Sequence, residues 1–97
     1  MIPYKFHPDA DVELEEAALF YESRMAGLGK SFAAEVDRTI ALVRQFPEAG
    51  SPVGPKRRRV LVARYPYSIV YRQDPNAIVI VAVAHQRRRP GYWRRRK

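Results

Sequence analysis

The segment AIVIVAVAH, residues 77–85, constrains the fold more than any other part of this 97-residue chain. It is apolar on both alternating faces, so as a strand it belongs inside a sheet that is covered on both sides. As the longest apolar run it falls well short of the ~20 residues that a membrane-spanning helix requires. The neighbours of this strand must come from the rest of the chain.

Two further strands are predicted just upstream, RVLVARY (59–65) and YSIVYRQ (67–73), interrupted by Pro66. Asp74-Pro75-Asn76 is a turn, and strands this closely spaced pair antiparallel as a meander. At the N-terminus Ile2, Tyr4 and Phe6 alternate with Pro3, Lys5 and His7, which is the period of a strand. Pro3 lacks an N–H and so belongs at a strand start or an edge. Tyr4 and Phe6 are assigned to the core.

Between these strands the period becomes helical. Asp9 is the expected N-cap of a first helix. Asp11, Glu13, Glu15 and Glu16 crowd its first turns, at the positive end of the dipole. Leu14, Ala17 or Ala18, Tyr21 and Met25 recur on one side. Gly27 and Gly29 mark a stop. A second helix is expected from Lys30 to Phe46, with Phe32, Val36, Ile40 and Val43 as its apolar stripe and Pro47 after it. Residues 47–57, PEAGSPVGPKR, are expected to form a loop. The fold class is therefore α+β, in the order β-α-α-β-β-β: an N-terminal strand, an antiparallel helical hairpin and a three-stranded antiparallel meander in one sheet. Residues 1–97 form one domain. Trp93, after Pro90-Gly91, is expected to fold back and pack. Arg94 to Lys97 read as a mobile basic tail whose removal leaves folding intact.

Charge separates the halves of the chain. Residues 1–48 carry nine acids and five bases, a net of −4, whereas residues 49–97 carry thirteen bases and one acid, Asp74, a net of +12. Fourteen of the eighteen cations are arginine, whose planar fork suits phosphate and stacks on bases. A half this basic attracts nucleic acid or an acidic protein. The N-terminus has no signal-peptide pattern, no membrane is implied, and with no cysteine there are no disulfides or thiolate sites. The expected localisation is cytoplasmic.

Few catalytic arrangements are available. GLGK (27–30) is too short to be a phosphate loop. His7 and His85 stand alone, without nearby paired carboxylates, so neither a metal nor another cofactor is expected. The spacing of Ser68, Asp74 and His85 does not support a nucleophilic triad. What converges on the strand half is a set of Arg, Tyr and His side chains: Arg58, Arg59, Arg64, Tyr71, Arg72, His85, Arg87, Arg88, Arg89 and Tyr92. Such a set binds phosphates by charge and bases by stacking. A His or Tyr within it could also move a proton in phosphodiester cleavage while arginines hold the developing charge.

These residues carry a resemblance. FHPDADVELEEAALFYE, the FPEAGSPVG loop, RYPYSIVYR and AVAHQRRRPGYW together resemble the RelE/ParE family of toxins from bacterial toxin–antitoxin operons, over nearly the whole chain. The resemblance implies a growth-inhibiting protein neutralised by a cognate antitoxin with an acidic and apolar C-terminal segment. It also implies one of two targets. ParE-like members poison DNA gyrase and are not known as enzymes, whereas RelE-like members cut mRNA on the ribosome. In a nuclease, His85, Tyr92 and Arg72 would be the catalytic residues. The remaining set, Arg58, Arg59, Arg64, Tyr71, Arg72 and Arg87 to Arg89, would bind nucleic acid or target. The nuclease branch keeps an arginine after the first tyrosine of its Tyr-x-x-Val-Tyr strand, where this chain has Ser68, and Leu61 stands where that branch has a lysine. His85-Gln86 is similar to the end of the last strand in ParE-like chains. The reading therefore leans to gyrase inhibition, with the ribosome-dependent endoribonuclease as alternative and a non-toxic nucleic-acid-binding module as third.

Overall fold

A computed structural model describes residues 2–97. It contains β1 (Tyr4–Phe6), α1 (Pro8–Arg24), α2 (Leu28–Gln45), β2 (Ser51–Pro52), β3 (Arg58–Leu61), β4 (Tyr67–Gln73) and β5 (Ile78–His85). The five strands form one sheet in the order β1-β5-β4-β3-β2. β3, β4 and β5 are the expected antiparallel meander. β1 lies parallel to β5 on its other side, so the doubly apolar segment is an interior strand.

Each helix start has a local cause. His7, not Asp9, caps α1: its Nδ1 accepts the Asp9 N–H at 3.0 Å. Pro8 then takes the first helical position, where no N–H is needed. The hairpin turn depends on glycine twice. Gly27 has φ +88, and a Cβ on Gly29 would run into the Ala18 carbonyl oxygen of the facing helix. The Glu22 carboxylate accepts N–H groups from Gly27 and Gly29 at 2.9 and 3.0 Å. An acid thus sits at the positive end of α2, and these two donors of GLGK are already engaged.

Both helices cover one face of the sheet. Phe32, Val36, Ile40 and Val43 are buried as the stripe requires, with Ala10 and Ala17 of α1, against Ile69, Tyr71, Ile78, Ile80 and Val83. Met25 ends α1 in extended conformation and is 64% exposed, so it leaves the expected stripe. The opposite face of β4 and β5 presents Val70, Val79, Val81, Ala82 and Ala84, and Trp93 folds back over it as expected. The two faces of β5 exchange at a β-bulge. Tyr71 pairs with Ile80 and Val70 with Ala82, leaving Val81 as an extra residue.

Other boundaries move for physical reasons. β3 stops at Leu61 because Arg64 takes φ 72 and Val62 N–H bonds the Tyr67 carbonyl at 2.9 Å, closing a tight turn. The 47–57 loop contributes β2 as a two-residue edge. Tyr4 is 40% exposed rather than core: its ring lies beneath the Arg44 guanidinium at 5.0 Å. Phe6 is half-buried against the core.

The edge of β5 beyond the short β1 is completed by side chains. The last bond on the β1 side is His7 N–H to the Ile80 carbonyl at 2.9 Å. Past it, Glu13 accepts the Val83 N–H at 3.0 Å, and Arg96 Nη1 donates to the Val81 carbonyl at 3.1 Å. Glu13 and Arg96 also pair with each other, at 2.8 and 2.9 Å, and Tyr92 donates its hydroxyl to Glu13 at 2.6 Å. Arg96 therefore departs from the expected solvated tail: its side chain is 14% exposed and that of Glu13 13%. The Glu13 bond raises the affinity of Arg96 for its proton. Burial, then the bond to Glu13, lifts the Tyr92 phenol well above its ordinary range.

Two outcomes are expected. Glu13→Ala leaves Arg96 with only the exposed Asp9, at 3.7 Å, as anion and leaves the Val83 N–H without its acceptor, which costs about 3 kcal/mol; urea unfolding of the variant should show the midpoint falling by a corresponding amount. A change no larger than that of an exposed α1 control such as Glu15→Ala would refute the role. The second concerns alkaline pH. A phenol whose pKa is raised by folding contributes stability that is complete below the unfolded value of 10.0 and is lost as pH rises above it. Stability should therefore fall above about pH 10, and Tyr92→Phe should flatten part of that fall in a urea series across pH 8–11.

Candidate functional site

On the helix-distal face, where the meander meets the C-terminal segment, lies a groove of about 570 Å³. β3 supplies Arg59 and Leu61, β4 Ser68 and Val70, and β5 Ala84 and His85. The chain after β5 closes the wall with Arg88, Arg89, Tyr92, Trp93 and Arg94. The expected residues Arg59, His85, Arg88, Arg89 and Tyr92 are thus brought together around an apolar floor.

Each wall residue is held by chemistry local to it. His85 ends β5 opposite Tyr67, edge-on to that ring at 5.0 Å between centroids. Its Nδ1 accepts the Arg87 N–H at 3.0 Å, turning the chain out of the sheet at the start of the arginine run. The Arg88 guanidinium stacks on Tyr92, 3.8 Å from the ring centroid. Arg87 and Arg89 are exposed beside it. Gly91 turns the chain back with φ +76, so that Tyr92 reaches Glu13 and Trp93 reaches the sheet.

Other expected site residues are placed elsewhere. Tyr71 is 1% exposed and cannot stack on a base. Its hydroxyl donates to the Pro47 carbonyl at 2.8 Å and accepts the Gly50 N–H at 3.0 Å, which ties the proline-rich loop to the sheet. Arg58 donates to the Gly50 carbonyl at 2.8 Å and is half-buried in the same tie. Arg64, in the β3–β4 turn, is 81% exposed and lies 4.0 Å from Glu35 of α2. Arg38 holds the Glu35 carboxyl below its usual value. Arg72 pairs with Asp74 at 2.9 Å and donates to the Lys97 backbone oxygen at 2.7 Å. It stands opposite Val79 while Tyr67 stands opposite His85. His85 and Arg72 are thus five β4 positions apart, roughly 16 Å at ~3.3 Å per residue. The three residues named for nuclease chemistry do not converge: Arg72 is at the far end of the sheet, and the Tyr92 hydroxyl is committed to Glu13.

Sequence reasoning passed over Glu13, read as one of several helix-start acids, and Arg96. Their partnership spans 83 residues, and no local pattern reports it. Among the described residues no group of His, Asp and Glu has the makings of a metal site, and no helix is long and apolar enough to cross a membrane.

Comparison with known proteins agrees with this architecture. A chain of known structure from a "chromosomal ParDE TA system from P. aeruginosa" superposes with a TM-score of 0.78 at 19% identity, over 88% of this chain and 96% of that one. At that identity the likeness establishes the fold. A search of curated proteins returns no match. The family model for the ParE toxin of the type II toxin–antitoxin system, parDE, matches residues 4–90, which include every strand of the sheet and both helices of the hairpin. The chain belongs to the ParE toxin family of type II toxin–antitoxin systems.

Proposed function

We propose that this protein arrests growth by holding DNA gyrase in the cytoplasm, without chemistry of its own, and is silenced by a cognate antitoxin of the ParD kind. The observation that carries the reading is the Tyr92 hydroxyl, which is hydrogen-bonded to a carboxylate at 2.6 Å and whose proton is held more firmly than a free phenol's. A general acid must release its proton near neutral pH, and Tyr92 is set against that. Ser68, where the nuclease branch has an arginine, is 4% exposed and offers no charge. What remains is an apolar floor rimmed by exposed arginines, suited to gripping a protein surface.

The antitoxin reading rests on two surfaces. Val12, Leu19 and Phe20 on α1, with Leu42 and Phe46 at the end of α2, are apolar and 45–63% exposed. An amphipathic segment can lay its apolar side on them. Its acidic residues would face the +12 half of the chain, and a segment that is disordered alone would fold on binding. Salt should slow this assembly more than it loosens the complex.

Purified protein should block supercoiling by gyrase and leave ribosome-bound mRNA uncut. Cleaved transcripts together with normal supercoiling would overturn the reading. In cells, replacing Arg87, Arg88 and Arg89 together by Ala should abolish growth arrest while thermal unfolding stays within a few degrees of the parent, since exposed charges contribute little to stability. A folded triple variant that still arrests growth would remove this rim from the site.

A further inference from the structure

The sheet has a second basic hollow, at the end opposite His85. It has a volume of about 380 Å³ and is lined by Lys56, Arg57, Arg58 and Arg72, with Asp74 as its one acid. A neighbouring hollow is lined entirely by cations, sharing Lys56, Arg57 and Arg72 and adding Arg94 to Lys97. The two form one basic strip around the pair Arg57 and Arg72.

That pair is incompletely satisfied. Arg72 Nε bonds Asp74, and its Nη2 bonds the Lys97 backbone oxygen at 2.7 Å, yet its Nη1 is buried without an acceptor. Arg57 donates Nη2 to the Arg96 carbonyl at 2.9 Å and lies over the Trp93 ring at 5.6 Å, and its Nε is likewise buried without an acceptor. A buried donor without a partner is destabilising, more so when it is charged. Cations gathered around one carboxylate also repel one another. Both costs fall if an oxyanion supplies acceptors and negative charge.

We infer that this strip is a phosphate-binding site that takes the sugar-phosphate backbone of a nucleic acid. The continuity of the two hollows favours a chain of phosphates over a single anion, because Lys56, Arg95 and Lys97 extend the charge beyond the Arg57–Arg72 pair and are exposed. Contact through phosphates implies binding that is indifferent to sequence and steep in salt. The site meets the His85 groove only at Gly54 and Arg94 and does not depend on gyrase being the target.

The test measures fluorescence anisotropy of a labelled 20-base-pair duplex across a salt series, with gyrase absent. Two variants each remove three exposed cations: Lys56→Ala/Arg95→Ala/Lys97→Ala in the strip, and Arg87→Ala/Arg88→Ala/Arg89→Ala at the groove. Circular dichroism melts confirm that both are folded. The strip variant should bind at least tenfold more weakly and lose about two to three units of the log–log salt slope, at ~0.9 per phosphate contact, while the groove variant stays within about threefold of the parent. Equal losses in the two variants would reduce the attraction to net charge and overturn the site. Inorganic phosphate at millimolar concentration is the second arm. If it raises Tm in a strip-dependent way while the duplex does not bind, the ligand is a small phosphate and the nucleic-acid assignment is overturned.

Discussion

The carboxylate of Glu13 closes the structure. A parallel edge strand three residues long leaves the second half of β5 with unpaired backbone groups, and a helix packed beside that edge must answer for them. Glu13 receives the Val83 N–H, and the guanidinium it holds answers the Val81 carbonyl. The same anion receives the Tyr92 hydroxyl. One side chain from the acidic half thereby completes the sheet, anchors the C-terminal segment and fixes the wall of the groove. The charge asymmetry between the halves, +12 against −4, is in this one place an internal ion pair. Elsewhere most cations of the basic half face outward, with Arg57, Arg58 and Arg72 half-buried.

How much of this was legible in the sequence follows from the range of each interaction. The meander and the hairpin came from local signals: strand runs at 59–65, 67–73 and 77–85 set off by Pro66 and the turn at 74–76, and helical spacing of Phe32, Val36, Ile40 and Val43, all of them buried. Boundaries failed where a single residue's conformation decided them. Arg64 at φ 72 ends β3 early, and no pattern marks a non-glycine residue for that role. The cap moved from Asp9 to His7 because an imidazole nitrogen, like a capping carboxylate, can accept the N–H two residues on, and here Asp9 supplies that N–H. The bulge at Val81 was hidden by the very feature that placed the strand. A segment apolar on both faces has no mark by which to tell an inward residue from an outward one.

The site was half legible for a related reason. Arginines and tyrosines were gathered by type, and type does not report direction. Tyr71 and Tyr92 look alike in sequence, yet one hydroxyl ties a loop to the sheet and the other meets a helix. Arg58 and Arg59 are adjacent, and strand alternation sends the first into the loop tie and the second to the groove. Arg57 and Lys56, passed over as loop residues, line the opposite hollow. Position along β4 then divides the cations between two ends of one sheet, so the basic half presents two surfaces instead of one.

The long reach of the Glu13–Arg96 pair also bears on how the chain is made. Glu13 is synthesised 83 residues before its partner. Until the segment that carries Arg96 has docked, β5 lacks the second half of its edge cover, and such an edge invites pairing with other chains. The Tyr92–Trp93 wall is absent for the same interval. A chain in which that segment has not docked therefore has an open sheet edge and no completed groove, and the meeting of Arg96 with Glu13 ends both conditions at once.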